Sequence, residues 1–341
     1  MAGPVGGGAG LATRGASGRP YARPMAEPER TTPVAARDEG RHRPGPEPLW
    51  NESWYFDFAA ADGSLGGYVR LGLYPNLGVA WYWACLVGEG RPLVTVIDHD
   101  VPLPRTGLEV RSEGLWADHN LETALDHWSL GCEAFAVGVD DPTEVYGDLR
   151  GDRVPFGLDL EWETDGGAYA YPGVDRYEVP CRVTGEVLVG AERIEVDGPG
   201  QRDHSWGARD WWTYGWCWSS AALDDGSRTH ATHVTLGDED LYATGYVQAP
   251  DGLPRPVDGV RRGQDLGPTG LPTAGWVHLG GQDGGAGAPV ELAVAPVAFA
   301  PVLLTAPDGR EARFPRALCR YTAADGRTGV GWTEWNQPPP G

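Results

Sequence analysis

The chain has 341 residues, including 51 Gly, 30 Pro and 15 Trp, no Lys, and a formal net charge of −21. That length holds two ordinary domains or one large all-β domain. The acidic balance argues against binding phosphate backbones or anionic membrane surfaces, and it favours solubility.

Residues 1–47 are rich in Gly, Ala, Pro and Arg, with seven Arg against five acidic residues. They carry too little apolar surface to order themselves, so a disordered tail is expected. Met25 is an alternative start. The stretch has no continuous apolar run of the secretory type. No segment of the chain approaches the ~20 apolar residues of a membrane span. A cytoplasmic location follows as an expectation.

From Leu49 onward, short apolar runs alternate with turns. Tyr68 to Tyr74 leads through Pro75-Asn76-Leu77-Gly78 to Val79–Val87, then through Gly88–Pro92 to Leu93–Ile97. Further on, Trp211–Leu223 turns at Asp224-Asp225-Gly226 into Arg228–Leu236, and Gly237–Asp240 leads to Leu241–Val247. This spacing predicts antiparallel hairpins in an all-β sandwich or barrel. Asn120–His127 is the one stretch that reads equally as helix or strand. Two units are expected, 48–198 and 199–341, with the break at Gly198-Pro199-Gly200. Gly280 to Ala288 is low-complexity and reads as a flexible loop.

Cys85, Cys132, Cys181, Cys217 and Cys319 are odd in number and lack CxxC spacing, so buried free thiols are expected rather than a disulfide framework or a zinc site. His230 and His233, three apart in a strand, point to opposite faces and do not share an ion. Asp98-His99-Asp100 reads as a solvated loop. No P-loop sequence is present. The expected metal and cofactor content is none.

The chemistry-bearing stretch is Gly200 to Trp212, GQRDHSWGARDWW. Asp203-His204-Ser205 mimics a hydrolase triad, but adjacent residues in one strand or turn do not converge, and no G-x-S-x-G elbow occurs. Two roles stay open for Arg202, Asp203, His204, Arg209 and Asp210: a buried structural network, or an acid/base site opening into an aromatic cavity. After them, Trp212, Tyr214, Trp216 and Trp218 recur every second residue, which places four rings on one face of a strand. Trp81 with Trp83, and Trp332 with Glu334, show the same alternation, and Glu52 lies between Trp50 and Trp54. Each is either packed core or the lining of a ligand cavity.

Gly200-Gln201-Arg202-Asp203-His204-Ser205-Trp206-Gly207, followed by Arg209-Asp210-Trp211, resembles the central motif of the hydroxyneurosporene synthase family, which includes the carotenoid 1,2-hydratases and related lipocalin-like proteins. Trp50 to Phe56 with Gly66-Gly67-Tyr68, and Gly329 through Gln337, extend the likeness from about Leu49 to the C-terminus. The resemblance implies two tandem lipocalin-like antiparallel β-barrels with few helices and an apolar cavity near their junction. Members with this pattern include hydratases that protonate an isoprenoid double bond, and cyclases that include Diels–Alder-type pericyclases.

The resulting expectation is a cofactor-independent cyclase, pericyclase or hydratase acting on a hydrophobic, unsaturated isoprenoid or polyketide. Asp203, His204 and Glu334 are its acid/base candidates. Arg202, Arg209, Asp210 and Glu52 form its polar network, and Trp206, Trp212, Tyr214, Trp216, Trp218, Trp81, Trp83 and Trp332 form its ligand wall. The alternative is a non-catalytic carrier for a lipid or isoprenoid.

Overall fold

The computed structural model describes residues 33–280 and 289–338. The first sheet contains β1 (Trp50–Ala59), β2 (Leu65–Tyr74), β3 (Val79–Gly88), β4 (Leu93–Pro102), β5 (Val110–Ser112), β6 (Leu115–Thr123), β7 (His127–Val139), β8 (Asp152–Thr164), β9 (Tyr169–Ala170), β10 (Arg176–Val189) and β11 (Glu192–Ala208). The second part contains β12 (Gly215–Leu223), β13 (Arg228–Leu236), β14 (Glu239–Gln248), β15 (Arg255–Pro256), β16 (Val260–Leu266), β17 (Pro272–Leu279), β18 (Val290–Phe299), the hairpin β19 (Val302–Thr305) and β20 (Glu311–Phe314), then β21 (Arg316–Ala323) and β22 (Thr328–Asn336). Helix among the described residues is confined to two 3-10 turns, Ala36–Glu39 and Pro142–Tyr146. The ambiguous Asn120–His127 stretch is the hairpin between β6 and β7.

The hairpins read from the turn sequences are present: β2–β3, β3–β4, β12–β13 and β13–β14 all pair antiparallel. Gly226 closes the β12–β13 turn at φ 86°, a conformation that favours glycine.

The first sheet runs β4-β3-β2-β1-β11-β10-β8-β7 and closes where Leu93–Thr95 of β4 pairs with Val137–Val139 of β7. Closure removes the free edges of a barrel, and β5–β6 add a lip. The interior is filled by Trp54, Phe56, Leu71, Trp128, Trp162, Tyr177 and their neighbours. It is a packed core.

The second sheet, β15-β14-β13-β12-β22-β21-β18-β17-β16, curls into a half-barrel around Cys217, Ala221, Val277, Leu292, Cys319 and Trp335. All five cysteines are free and buried.

A third core lies between the two barrels. The outer face of β1–β3, with Tyr55, Tyr68, Tyr74, Trp81, Trp83 and Cys85, packs on Trp211, Trp212, Trp218, Phe314, Leu318 and Trp332.

Three expectations change here. Gly198-Pro199-Gly200 is not a linker but the middle of β11, and the chain passes between sheets at residues 209–214. A Cβ on Gly200 would stand 2.2 Å from the Asp57 carbonyl oxygen, and one on Gly198 would stand 2.1 Å from that of Ala59. The glycines permit close strand approach to β1, which composition alone does not distinguish from flexibility.

Residues 33–47, assigned to the tail, pack on the first barrel and bury Glu39 completely; residues 1–32 lie outside the described residues, as do 281–288 of the Gly-rich loop. Asp98-His99-Asp100 is part of β4, where His99 Nε2 accepts from Trp83 Nε1–H at 2.8 Å.

Candidate functional site

Strand alternation in β11 separates the residues of the central motif. Arg202, His204 and Trp206 leave one face, and Gln201, Asp203 and Ser205 leave the other. On the first face, Arg202 Nη1 donates to Glu39 Oε1 at 2.7 Å, and His204 meets Glu52 and the Asp38 carbonyl. On the second face, Asp203 Oδ2 accepts from Arg176 Nη2 at 2.8 Å, and Ser205 Oγ accepts from Arg209 Nη2 at 2.8 Å. The expected unit of Asp203 with His204, oriented by Arg202 and Arg209, is therefore not assembled. A period of two sends neighbours to opposite sides, and each arginine serves a different partner.

A cleft lies where the second face of β11 meets the half-barrel. Its apolar walls are Tyr214, Trp216, Trp218, Tyr171 and Tyr242, its polar groups include Arg176, Ser205, Arg209 and Thr232, and Trp206 only borders it, its ring being stacked on His42 at the other face of β11. Trp216 and Trp218 alternate along β12 with Cys217 and Ser219. The rings face the first barrel, while the small residues enter the half-barrel core, where Ser219 Oγ lies 3.2 Å from Tyr321 OH.

Behind the cleft wall sits a buried carboxylate cluster. Glu178 accepts from Arg176 Nε at 2.8 Å, Tyr171 OH at 2.9 Å, Trp218 Nε1 at 3.0 Å and Gln201 Nε2 at 3.1 Å. The Tyr171 hydroxyl also meets His230 Nε2 at 2.7 Å and Thr232 Oγ1 at 2.5 Å. Burial alone would raise the Glu178 carboxyl, but Arg176 and the hydrogen bonds from Trp218 and Gln201 pull it below the usual carboxylate range.

Arg176 is thus one cation between two carboxylates, and the one with fewer donors gives way. Burial, reinforced by Glu178 and Glu334, pushes Asp203 up to about 7 despite Arg176. Asp203 keeps 6% exposure, and its partner Arg176 lines the cleft. A carboxyl in this range can give and take a proton near neutrality.

The other candidates divide between cleft and core. Asp210 lines the cleft, yet its oxygens already cap the turn through Trp212 N–H, Thr213 N–H and the Thr213 hydroxyl. Tyr214, like Trp212, lies before β12, which starts at Gly215, so the first two members of the four-ring stripe fall outside the strand. Trp212 turns into the core between the barrels and donates to the Leu304 carbonyl at 2.8 Å.

Trp81, Trp83 and Trp332 are core in the same way; Trp332 Nε1 donates to the Phe58 carbonyl at 2.9 Å. Glu334 does not reach the cleft lining. It pairs with the buried Arg316 at 2.8 Å, whose guanidinium lies 3.7 Å from the centre of the Tyr68 ring.

Tyr171, Arg176, Glu178 and Thr232 escaped sequence reasoning because they come from β10, β13 and the segment before β10. The signal for Glu178 was an acid within the run Tyr177-Glu178-Val179-Pro180-Cys181, whose other members are apolar.

A closed antiparallel barrel joined to a half-barrel, with an aromatic cleft at the joint, defines a lipocalin-like tandem all-β protein. The chain belongs to the family described as domain of unknown function DUF7064, whose model matches residues 35–339. No curated protein matches the sequence. Solved structures of the same fold include a putative AttH from Nitrosomonas europaea, with 17% identity, TM-score 0.59, and coverage of 91% of this chain and 99% of that one.

Kievitone hydratase from Nectria haematococca matches at 11% identity and TM-score 0.57, over 90% of this chain and 94% of that one. CghA in complex with Sch210972 matches at 12% identity and TM-score 0.54, over 85% and 88%. These neighbours share the lipocalin-like fold that the motif likeness implied. Among the described residues, no helix is long and apolar enough to cross a membrane.

Proposed function

We propose that the protein is a cofactor-independent enzyme that binds a hydrophobic, unsaturated small molecule in the inter-barrel cleft and moves a proton to or from it. One observation carries this reading: Asp203 is raised to about 7 and paired with Arg176, which itself borders the wall of indole and phenol rings. In the forward step the Asp203 carboxyl gives its proton to one carbon of a C=C bond. The positive charge left on the other carbon lies against Trp216 or Trp218, whose ring faces attract cations. Water then adds and returns a proton to Asp203, giving a hydrated product. Alternatively a second C=C bond of the substrate attacks, closing a ring, and the product loses a proton to the carboxylate. The names of two structural neighbours, a hydratase and a protein solved with an organic ligand, accord with this substrate class.

The carrier reading has its own support. Arg176, Ser205, Arg209 and Asp210 at the cleft already have protein partners, and Asp203 stands one layer behind the lining. Incubating the protein with a panel of polyunsaturated isoprenoids in D2O separates the two. The enzyme reading predicts deuterium on carbon, or a gain of D2O mass, that Asp203→Asn suppresses by ~10²-fold or more. Recovery of every bound compound unlabelled would leave the carrier.

A further inference from the structure

The strap formed by residues 33–47 brings a third ligand-bearing residue to two already placed by the barrel. His42 Nδ1, Glu52 Oε1 and His204 Nε2 all lie within 4.8 Å of one another, the one such group of three found among the described residues. His42 Nδ1 is 2.7 Å from Glu52 Oε1, and His204 Nε2 is 3.0 Å from that same oxygen.

The hydrogen bonds fix which nitrogen of His204 carries its proton. Nδ1 lies 2.8 Å from the Asp38 carbonyl oxygen, which only accepts, so Nδ1 is the N–H. The Tyr177 hydroxyl, 3.2 Å from Nδ1, does not alter this, because its proton goes to Glu39 Oε1. A neutral His204 therefore aims the lone pair of Nε2 at a carboxylate oxygen. Two acceptors at 3.0 Å in a buried site repel unless something positive lies between them.

We propose that His42, Glu52 and His204 bind a divalent transition metal ion, zinc being the chemical type, which clasps the strap to β1 and β11. Two imidazoles and a carboxylate suit zinc, with a water in the fourth place. Ligand atoms around a tetrahedral zinc stand about 3.3 Å apart, so Glu52 would withdraw slightly from both nitrogens while the two imidazoles, now within 4.8 Å, closed on the ion. The Nδ1–H to backbone-carbonyl bond of His204 is the support that metal-bound histidines commonly have. Entry is through His42, whose side chain is 23% exposed while those of Glu52 and His204 are nearly inaccessible. The ring of Trp206 stacks on His42 at 3.7 Å and holds it in register. Sequence spacing concealed the group, because its members lie 10 and 152 residues apart.

The test uses untagged full-length protein equilibrated with excess ZnCl2, desalted, and assayed for metal by mass spectrometry. The expected result is about one zinc ion per chain and a raised melting temperature that EDTA reverses. His42→Ala should retain less than a tenth as much zinc. Since that change could also loosen the strap, Glu52→Gln, which keeps the side-chain shape, should likewise lose at least tenfold in retention. Wild-type protein that retains no zinc, with a melting temperature indifferent to ZnCl2, overturns the proposal and makes the trio a proton-bridged His–Glu–His network. Equal retention by the wild type and both variants overturns it too.

Discussion

Asp203 and His204 are adjacent in the chain and stand back to back across one strand. Asp203 faces Arg176 and the half-barrel; His204 faces Glu52 and the interior of the closed barrel. Their roles are independent, and substitutions at the two should be separable. Asp203→Asn should abolish catalysis with the barrel core unperturbed. His204→Ala should lower the melting temperature and loosen the strap, read as faster proteolysis near residues 33–47. A melting temperature unchanged by His204→Ala would contradict this assignment.

The raised Asp203 has a thermodynamic consequence. Its folded pKa of about 7 lies above the unfolded value near 3.8. Between those limits the unfolded chain has released a proton that the folded chain keeps, so Asp203 makes stability fall as pH rises from about 4 to about 7. His99, His119 and His230, which burial holds neutral well below their ordinary range, act with the opposite sign in much of that window. The measurable quantity is therefore a difference. Asp203→Asn should gain in stability relative to the wild type as pH rises through this window, and the gain should level off above about 7. Parallel denaturant titrations across pH check it; a constant difference would refute the raised carboxyl.

Glu39 and Arg202 form an ion pair whose members are 0% and 2% exposed. Glu39 also accepts from Trp128 Nε1 and Leu125 N–H. Removing one partner leaves the other charge buried without compensation. Glu39→Gln should cost ~3–5 kcal/mol, and Glu39→Gln with Arg202→Met should recover much of it. Urea unfolding of the two single variants and the double one measures both.

Trp216 and Trp332 are both tryptophans of the half-barrel sheet, but only Trp216 lines the cleft. Trp216→Ala should weaken the binding of a fluorescent polyene fatty acid by several-fold, since ring packing is worth ~0.5–1.5 kcal/mol beyond area. Trp332→Phe should lower stability, through loss of its bond to the Phe58 carbonyl, and leave that affinity unchanged. The reverse pattern would relocate the ligand to the core between the barrels.

Gly200→Ala should destabilise the protein by at least ~2 kcal/mol, because the added methyl meets the Asp57 carbonyl oxygen and Val183 Cγ2. Gly90→Ala, at a turn with φ 69° and open space around it, should cost only about 1 kcal/mol. Equal small costs at both would return Gly198–Gly200 to the linker reading.

The all-β class and the hairpins were legible because period-two alternation and turn chemistry act locally. The same alternation showed that Trp216 and Trp218 share a face, but not what lies opposite. Whether an indole lines a cleft or fills a core depends on the partner sheet: Trp83 and Trp216 read alike in sequence, yet Trp83 is wholly buried in the core between the barrels and Trp216 lines the cleft. The Glu178 cluster and the His42–Glu52–His204 trio draw on segments far apart in the chain, and their residues are ordinary in isolation. The strap was misread because its composition is that of a tail. Two of its side chains, Glu39 and His42, and the Asp38 carbonyl become ordered through partners the barrel supplies, not through their own apolar surface.

The strap also sets an order of events in folding. Glu39 leaves the ribosome early, yet Arg202 and Tyr177, the residues that receive it, follow 163 and 138 positions later. The barrel interior is therefore incomplete until nearly all of its strands exist, and its first segment must wait unpaired. Such long-range closure is slow. A nascent chain stalled before β10 should hold the strap loose and protease-sensitive, and release past β11 should protect it in one step.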